Sequence, residues 1–229
     1  MTRELVAPRH ESLRKIMGDK DLFRVFSLVD PHISFKPQGL IKGEKILNFL
    51  YEQLQVTTFA ELAIPFRTVA TDFWNMKQVV FDSGDLLPAV RASMAIPYIF
   101  TPVRHEGCVL VDGGLMNNVP HDLLDGDCDL RIAVDIMGEC SVPRDKAPTP
   151  LEAIFHTHQV MMDAMAQEKR ANHPVDIYVR PPLVDVEMLD FHKAESIYKQ
   201  GLAAKDDFKR QLEALLSGKK PRFNWWRKR

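Results

Sequence analysis

No stretch of this sequence approaches the ~20 consecutive apolar residues that span a bilayer. The opening segment, MTRELVAPRHESLRK, also lacks the apolar core of a secretion signal. Cysteine is scarce and odd in number: Cys108, Cys128 and Cys140. That excludes a disulfide framework and points to a reducing, cytoplasmic setting, while the wide spacings exclude a Cys-x-x-Cys metal site. Charge of one sign is missing as well. The formal net charge is −1, so no global field draws the chain to nucleic acid. Repeats and low-complexity tracts are absent. What remains is an ordinary globular composition, 45% hydrophobic and 27% charged over 229 residues, long enough to bury a core without disulfides or metals.

Residues 1–25 scatter Leu5, Val6, Leu13, Ile16 and Met17 among charges, a pattern that allows a short helix or two. The run Gly39 to Leu54 places Ile46, Leu47, Leu50 and Leu54 at helical spacing. Ile64 to Phe73 reads as a strand ending near Asp72, and Lys77 to Gly84 as a second. Leu86 to Pro97 reads as a short helix closed by the proline. Cys108 to Pro120 is a strand running into a tight Asp-Gly-Gly loop, and Leu130 to Met137 is an apolar strand of the type buried on both faces. Three of the fifteen prolines mark residues 141–150 as a loop. Leu151 to Arg170 carries the longest helical pattern, and a last helix is expected from Ala194 to Leu216. Interspersed strands and helices make the class α/β.

The segment with chemical content is Val111-Asp112-Gly113-Gly114. An acidic residue stands at the tip of a strand, and two glycines let the backbone turn away from it. Strand-end loops are where α/β proteins put their chemistry. Taken alone, Asp-Gly is equally a plain turn signal. The surrounding residues add weight: Val69-Ala70-Thr71-Asp72, Gly84, Arg91-Ala92-Ser93-Met94-Ala95-Ile96-Pro97, Phe100 and Pro102 upstream, then Asn117-Asn118-Val119-Pro120, Asp190-Phe191 and Gly201 downstream.

This ordered set resembles the patatin-like phospholipase family from about Gly39 to about Gly201. The resemblance implies a mixed sheet flanked by helices and a serine–aspartate dyad that hydrolyses carboxylic esters of lipids. It makes Asp112 the base that activates the serine, with Gly113 and Gly114 shaping its loop. A serine hydroxyl needs such a base, and the attacked carbonyl needs aligned N–H donors. The family's nucleophile sits in a Gly-x-Ser-x-Gly elbow, and none of the eight serines here lies in one. The glycine-rich oxyanion loop is missing too. The expectation is a domain over 1–218 without its N-terminal oxyanion-loop and elbow elements. It would be inactive alone and would need a complementing N-terminal segment to cover its exposed edges. The alternative is a non-catalytic lipid-binding or regulatory relative. No cofactor is implied, and the partner is a lipid or ester substrate.

Other candidates weigh less. Ser93 sits in an expected helix with no elbow around it. Asp72, Asp112 and Asp135 could stand at strand ends and share Mg²⁺, but turn and capping roles suit Asp72 and Asp135 better. Asp125 to Asp129 imitates a calcium loop and fails at Leu130 and Ile136, where glycine and glutamate are required. His156 and His158, two apart, do not face each other on a helix. Met161, Met162 and Met165 are core filling by default, or else a lipid-contacting surface. The tail, 219–229, has six Lys or Arg among eleven residues together with Phe223, Trp225 and Trp226. It is either a membrane-surface tether or a solubilising extension.

Overall fold

Three short segments of alternating or β-branched residues pair across the chain before any helix is considered. In the computed structural model, which describes residues 41–124, 126, 128–138, 145, 147–186 and 190–218, they are β1 (Thr68–Asp72), β2 (Lys77–Phe81) and β4 (Cys108–Asp112). A further strand, β3 (Val103–His105), completes an antiparallel sheet in the order β2-β1-β4-β3. Register is set by Thr68↔Phe81 through Asp72↔Lys77, by Ala70↔Asp112 and by Val103↔Leu110. The expected first strand is thus shorter than read: Ile64 and Phe66 lie outside it and are exposed. The β3–β4 turn is the two-residue pair Glu106-Gly107, both at positive φ, a type I′ geometry that matches strand twist. The short helices expected within residues 1–25 and the tail from Lys219 lie outside the described residues.

The chain divides into two units, Met1–Asn117 and Asn118–Arg229. In the first, helix α1 (Glu44–Leu54) precedes the sheet and α2 (Leu86–Ser93) packs on it. Ala92 meets Ala70 and Leu110, all but sealed from solvent, and two methyl-sized side chains at that contact let the helix lie close. Phe59, Leu86 and Ala89 form a second cluster; Phe59 and Leu86 are each worth about 1.5–3 kcal/mol in burial. Arg91 is buried in this unit. Its guanidinium donates to the Lys42 carbonyl at 2.7 Å and to the Thr101 carbonyl and hydroxyl at 2.8 and 2.9 Å, over the Phe100 ring. The segment before α1 is thereby fastened to the one after α2. Gly43 at φ 80° meets that guanidinium so closely that a Cβ would sit 2.8 Å from Arg91 Nε.

At the far end of β1, Asp72 is buried and accepts from the Asn75 amide at 2.7 Å and its backbone N–H at 3.4 Å. Hydrogen bonds from Asn75 and then the Cys108 thiol hold this carboxyl below its usual range, and the same Asp72 contact pushes the thiol up. Asp72 is therefore a turn residue. Thiolate is the reactive form, so iodoacetamide at neutral pH is expected to label the exposed Cys128 well before Cys108. Peptide mapping checks this, and faster labelling at Cys108 would contradict the thiol–carboxylate contact.

In the second unit, β5 (Ile132–Val134) and β6 (Ile177–Val179) pair in parallel, joined by α4 (Pro150–Asn172). Thr149 and Glu152 form a capping box, and Pro150 occupies the first helical position where its missing N–H costs nothing. Val119, Ala133 and Ala166 form the core. The strand expected to be buried on both faces is shorter than read, and Val134 and Ile136 are 54% and 72% exposed. Only Ala133 and Asp135 turn inward. Asp135 is 1% exposed and accepts from the Tyr178 hydroxyl at 2.8 Å and the Met137 N–H at 3.0 Å, with Arg180 at 3.6 Å. Arg180 also pairs with Asp163 at 2.8 Å, and Arg170 lies over the Tyr178 ring. The single helix expected from Ala194 is two, α5 (Ala194–Leu202) and α6 (Lys205–Gly218). The Met161 side chain is exposed, whereas Met162 and Met165 are half-buried.

Candidate active site

Asp112 stands where β4 ends. Its backbone N–H donates to the Ala95 carbonyl at 2.9 Å, and its own carbonyl accepts from Thr71 Oγ1 at 2.9 Å. The strand tip is thus held from the helix side by the residues after α2 and from the sheet by β1. The next residue meets β1 main chain to main chain. A Cβ at position 113 would lie 2.2 Å from the Val69 carbonyl oxygen and 2.6 Å from its carbon, so only glycine fits. The chain then turns into a single helical turn, α3 (Gly114–Asn117), and Asp112 Oδ1 accepts the Gly114 N–H at 2.6 Å. Asn117 and Met116 close that turn on the Gly113 carbonyl. The buried Asn117 amide donates to Gln78 Oε1 at 2.8 Å and fastens α3 to β2.

The outcome is a half-buried carboxylate at a strand end, oriented by a backbone N–H. An ionised carboxylate only accepts hydrogen bonds, so such a group can take a proton from a hydroxyl brought within reach. Asp112, Gly113 and Gly114 come together in one loop. Asp72 lies two residues along β1 from Ala70, the partner of Asp112, and is engaged by Asn75. Among the described residues no group of three or more His, Cys, Asp or Glu is placed to hold a metal ion. Ser93 is the last residue of α2, half-buried. His156 is exposed and His158 half-buried on α4. Among the described residues no helix is long and apolar enough to cross a membrane. Val69, Thr71, Ala95 and Asn117 stand in the sequence only as part of the resemblance, with no role assigned, and Gln78 was missed; together these residues build the loop. Asn117 lies three residues past Gly114, close enough to be tied to the glycine turn; the others hold the loop through long-range contacts that leave no local pattern.

A sheet flanked by helices, with an acidic residue on a glycine loop at a strand end, agrees with a patatin-like α/β fold. The family model described as Patatin-like phospholipase matches residues 7–125, just over half of the chain, and the chain belongs to that family. Proteins of Mycobacterium tuberculosis and Mycobacterium bovis, each described as an uncharacterized NTE family protein, are 37% identical over 126 residues, 54% of this chain and 34% of theirs. Lysophospholipase NTE1 of the yeast Lodderomyces elongisporus is 25% identical over 205 residues, 80% of this chain and 14% of that protein. The chain thus spans about a third of the length of its bacterial relatives and a smaller share of the yeast protein.

Proposed function

We propose that this chain carries the aspartate half of a serine–aspartate dyad that hydrolyses carboxylic esters of lipids, with Asp112 as the base. The observation that carries the reading is the Asp112 loop, in which Gly113 lies against Val69 and the Gly114 N–H aims the carboxylate. Asp112 would accept the proton of a serine hydroxyl as that oxygen attacks the ester carbonyl, and the alcohol would leave as the acyl-enzyme forms; water then releases the fatty acid. The serine and the oxyanion N–H groups come from a glycine-rich loop and Gly-x-Ser-x-Gly elbow outside these 229 residues, in a complementing N-terminal segment. Lysophospholipids are the first substrates to try, from the name of the yeast relatives. The setting is cytoplasmic, with the tail 219–229 as a contact to anionic membrane.

The test is hydrolysis of a nitrophenyl ester and of lysophosphatidylcholine, by the chain alone and mixed with a polypeptide bearing the family's loop and elbow. Activity is expected only in the mixture. There Asp112→Asn, which keeps an oxygen for the Gly114 N–H but cannot take the proton, should cost about 10²–10⁴-fold. Turnover by the chain alone that vanishes in Asp112→Ala would overturn the two-part reading. The absence of any Gly-x-Ser-x-Gly here also favours a second reading, a non-catalytic lipid-binding relative; a mixture that binds lysophosphatidylcholine without turning it over would select it.

A further inference from the structure

The hairpin tip between β1 and β2 has no part in the Asp112 loop, yet it is built at some conformational cost. Asp72↔Lys77 closes a four-residue turn, Phe73–Met76. Phe73, Trp74 and Met76 are 45%, 73% and 75% exposed, and Phe73 and Trp74 meet edge to face at 5.0 Å. Met76 sits at φ 51°, a left-handed position that favours glycine or asparagine over a long side chain. A strained apolar residue pointing into water indicates a role outside the fold.

The tip is also rigid. Its base is paired to β2, the Phe73 N–H donates to the Val109 carbonyl at 2.9 Å, and the Asn75 side chain is tied to Asp72. Little order remains to be lost on contact. Its acidic residue, Asp72, is buried, while Lys77 is exposed. Tryptophan at the headgroup level, apolar side chains below it and a nearby cation match a phospholipid surface with anionic lipid. We propose that Phe73, Trp74 and Met76 dock this unit onto such a surface. Asp112 pairs with Ala70 and the chain leaves it away from Asp72, so a bilayer seated on the tip leaves the carboxylate end of β4 uncovered.

The inference needs family membership but no role for Asp112, and its readout is blind to turnover. The chain has three tryptophans, so Trp225→Phe with Trp226→Phe leaves Trp74 as the sole reporter. Phosphatidylcholine vesicles containing phosphatidylserine are expected to shift Trp74 emission to the blue, and brominated lipid to quench it. Met76→Gly should weaken vesicle binding by roughly ten-fold while leaving the melting temperature unchanged or raised, because glycine suits that backbone. Unchanged Trp74 emission at saturating vesicles would overturn the proposal. So would a blue shift that follows protein concentration without lipid, which makes a second copy the partner, or a lower melting temperature in Met76→Gly, which makes Met76 a packing residue.

Discussion

Gly113→Ala is expected to destabilise the first unit by about 3 kcal/mol or more, at the upper end of overpacking effects. The new methyl would meet the Val69 carbonyl at 2.2 Å, and main chain cannot swing aside as a side-chain end can. Either β1 and β4 separate or the loop lifts and carries Asp112 with it. At 2–4 °C per kcal/mol for a chain of this size, melting should fall by roughly 6–12 °C. Hydrogen exchange at the Asp112 N–H, which bonds to Ala95, should accelerate in step. Gly201→Ala is the control. It lies within α5 with nothing near a Cβ, so it should be neutral or gain up to ~1 kcal/mol. Indistinguishable melting of Gly113→Ala and wild type would refute the close approach.

Arg180→Leu is expected to cost about 2–3 kcal/mol in the second unit. Removing one partner of a fully buried pair costs ~3–5 kcal/mol, and the lower end applies because Arg180 is 27% exposed and divides its charge between Asp135 and Asp163. Asp135 would be left as a buried anion with only the Tyr178 hydroxyl and the Met137 N–H. Adding Asp135→Asn should recover about 1–2 kcal/mol, since no charge then lacks its partner. The same network fixes an alkaline limit. Burial, and then the Asp135 hydrogen bond and charge, push the Tyr178 hydroxyl up to about 12. An unfolded tyrosine ionises near pH 10. This contribution is therefore intact below about pH 10 and lost as pH rises toward about 12; it amounts to at most ~2 kcal/mol for a partly exposed phenol. Of the four tyrosines, Tyr178 should titrate late by tyrosinate absorbance. A Tyr178→Phe variant with an unchanged slope of stability between pH 10 and about 12 would remove the assignment.

Much of this was legible in the sequence, and the rest for physical reasons was not. β1, β2, β4, α1, α2 and α4 announce themselves through period and punctuation. The Asp112 loop does so through paired glycines after an apolar strand. β3 escaped because Val103-Arg104-His105 is short and mostly polar, and its turn is Glu-Gly rather than the usual Asn-Gly or Asp-Gly. β6 is three residues long and becomes a strand by pairing with β5, a contact across some 45 residues. The break after Leu202 falls at Ala203-Ala204, where the strongest helix former gives no warning. The sequence suggests a turn or capping role for Asp135. Its burial depends on Tyr178 and Arg180, which no local pattern connects to it.

The Arg91 grip has a consequence for how this domain can diverge. Position 43 is denied a side chain twice over, by its left-handed backbone and by the guanidinium beside it. Shortening Arg91 would clear the space but leave the torsion, and re-bending the torsion would leave the collision. No single substitution removes both obstacles, so a side chain at position 43 calls for two coordinated changes. The acceptor at Lys42 is a carbonyl that any amino acid supplies, so that position is free to drift, whereas Thr101 also accepts through its hydroxyl and is held more tightly.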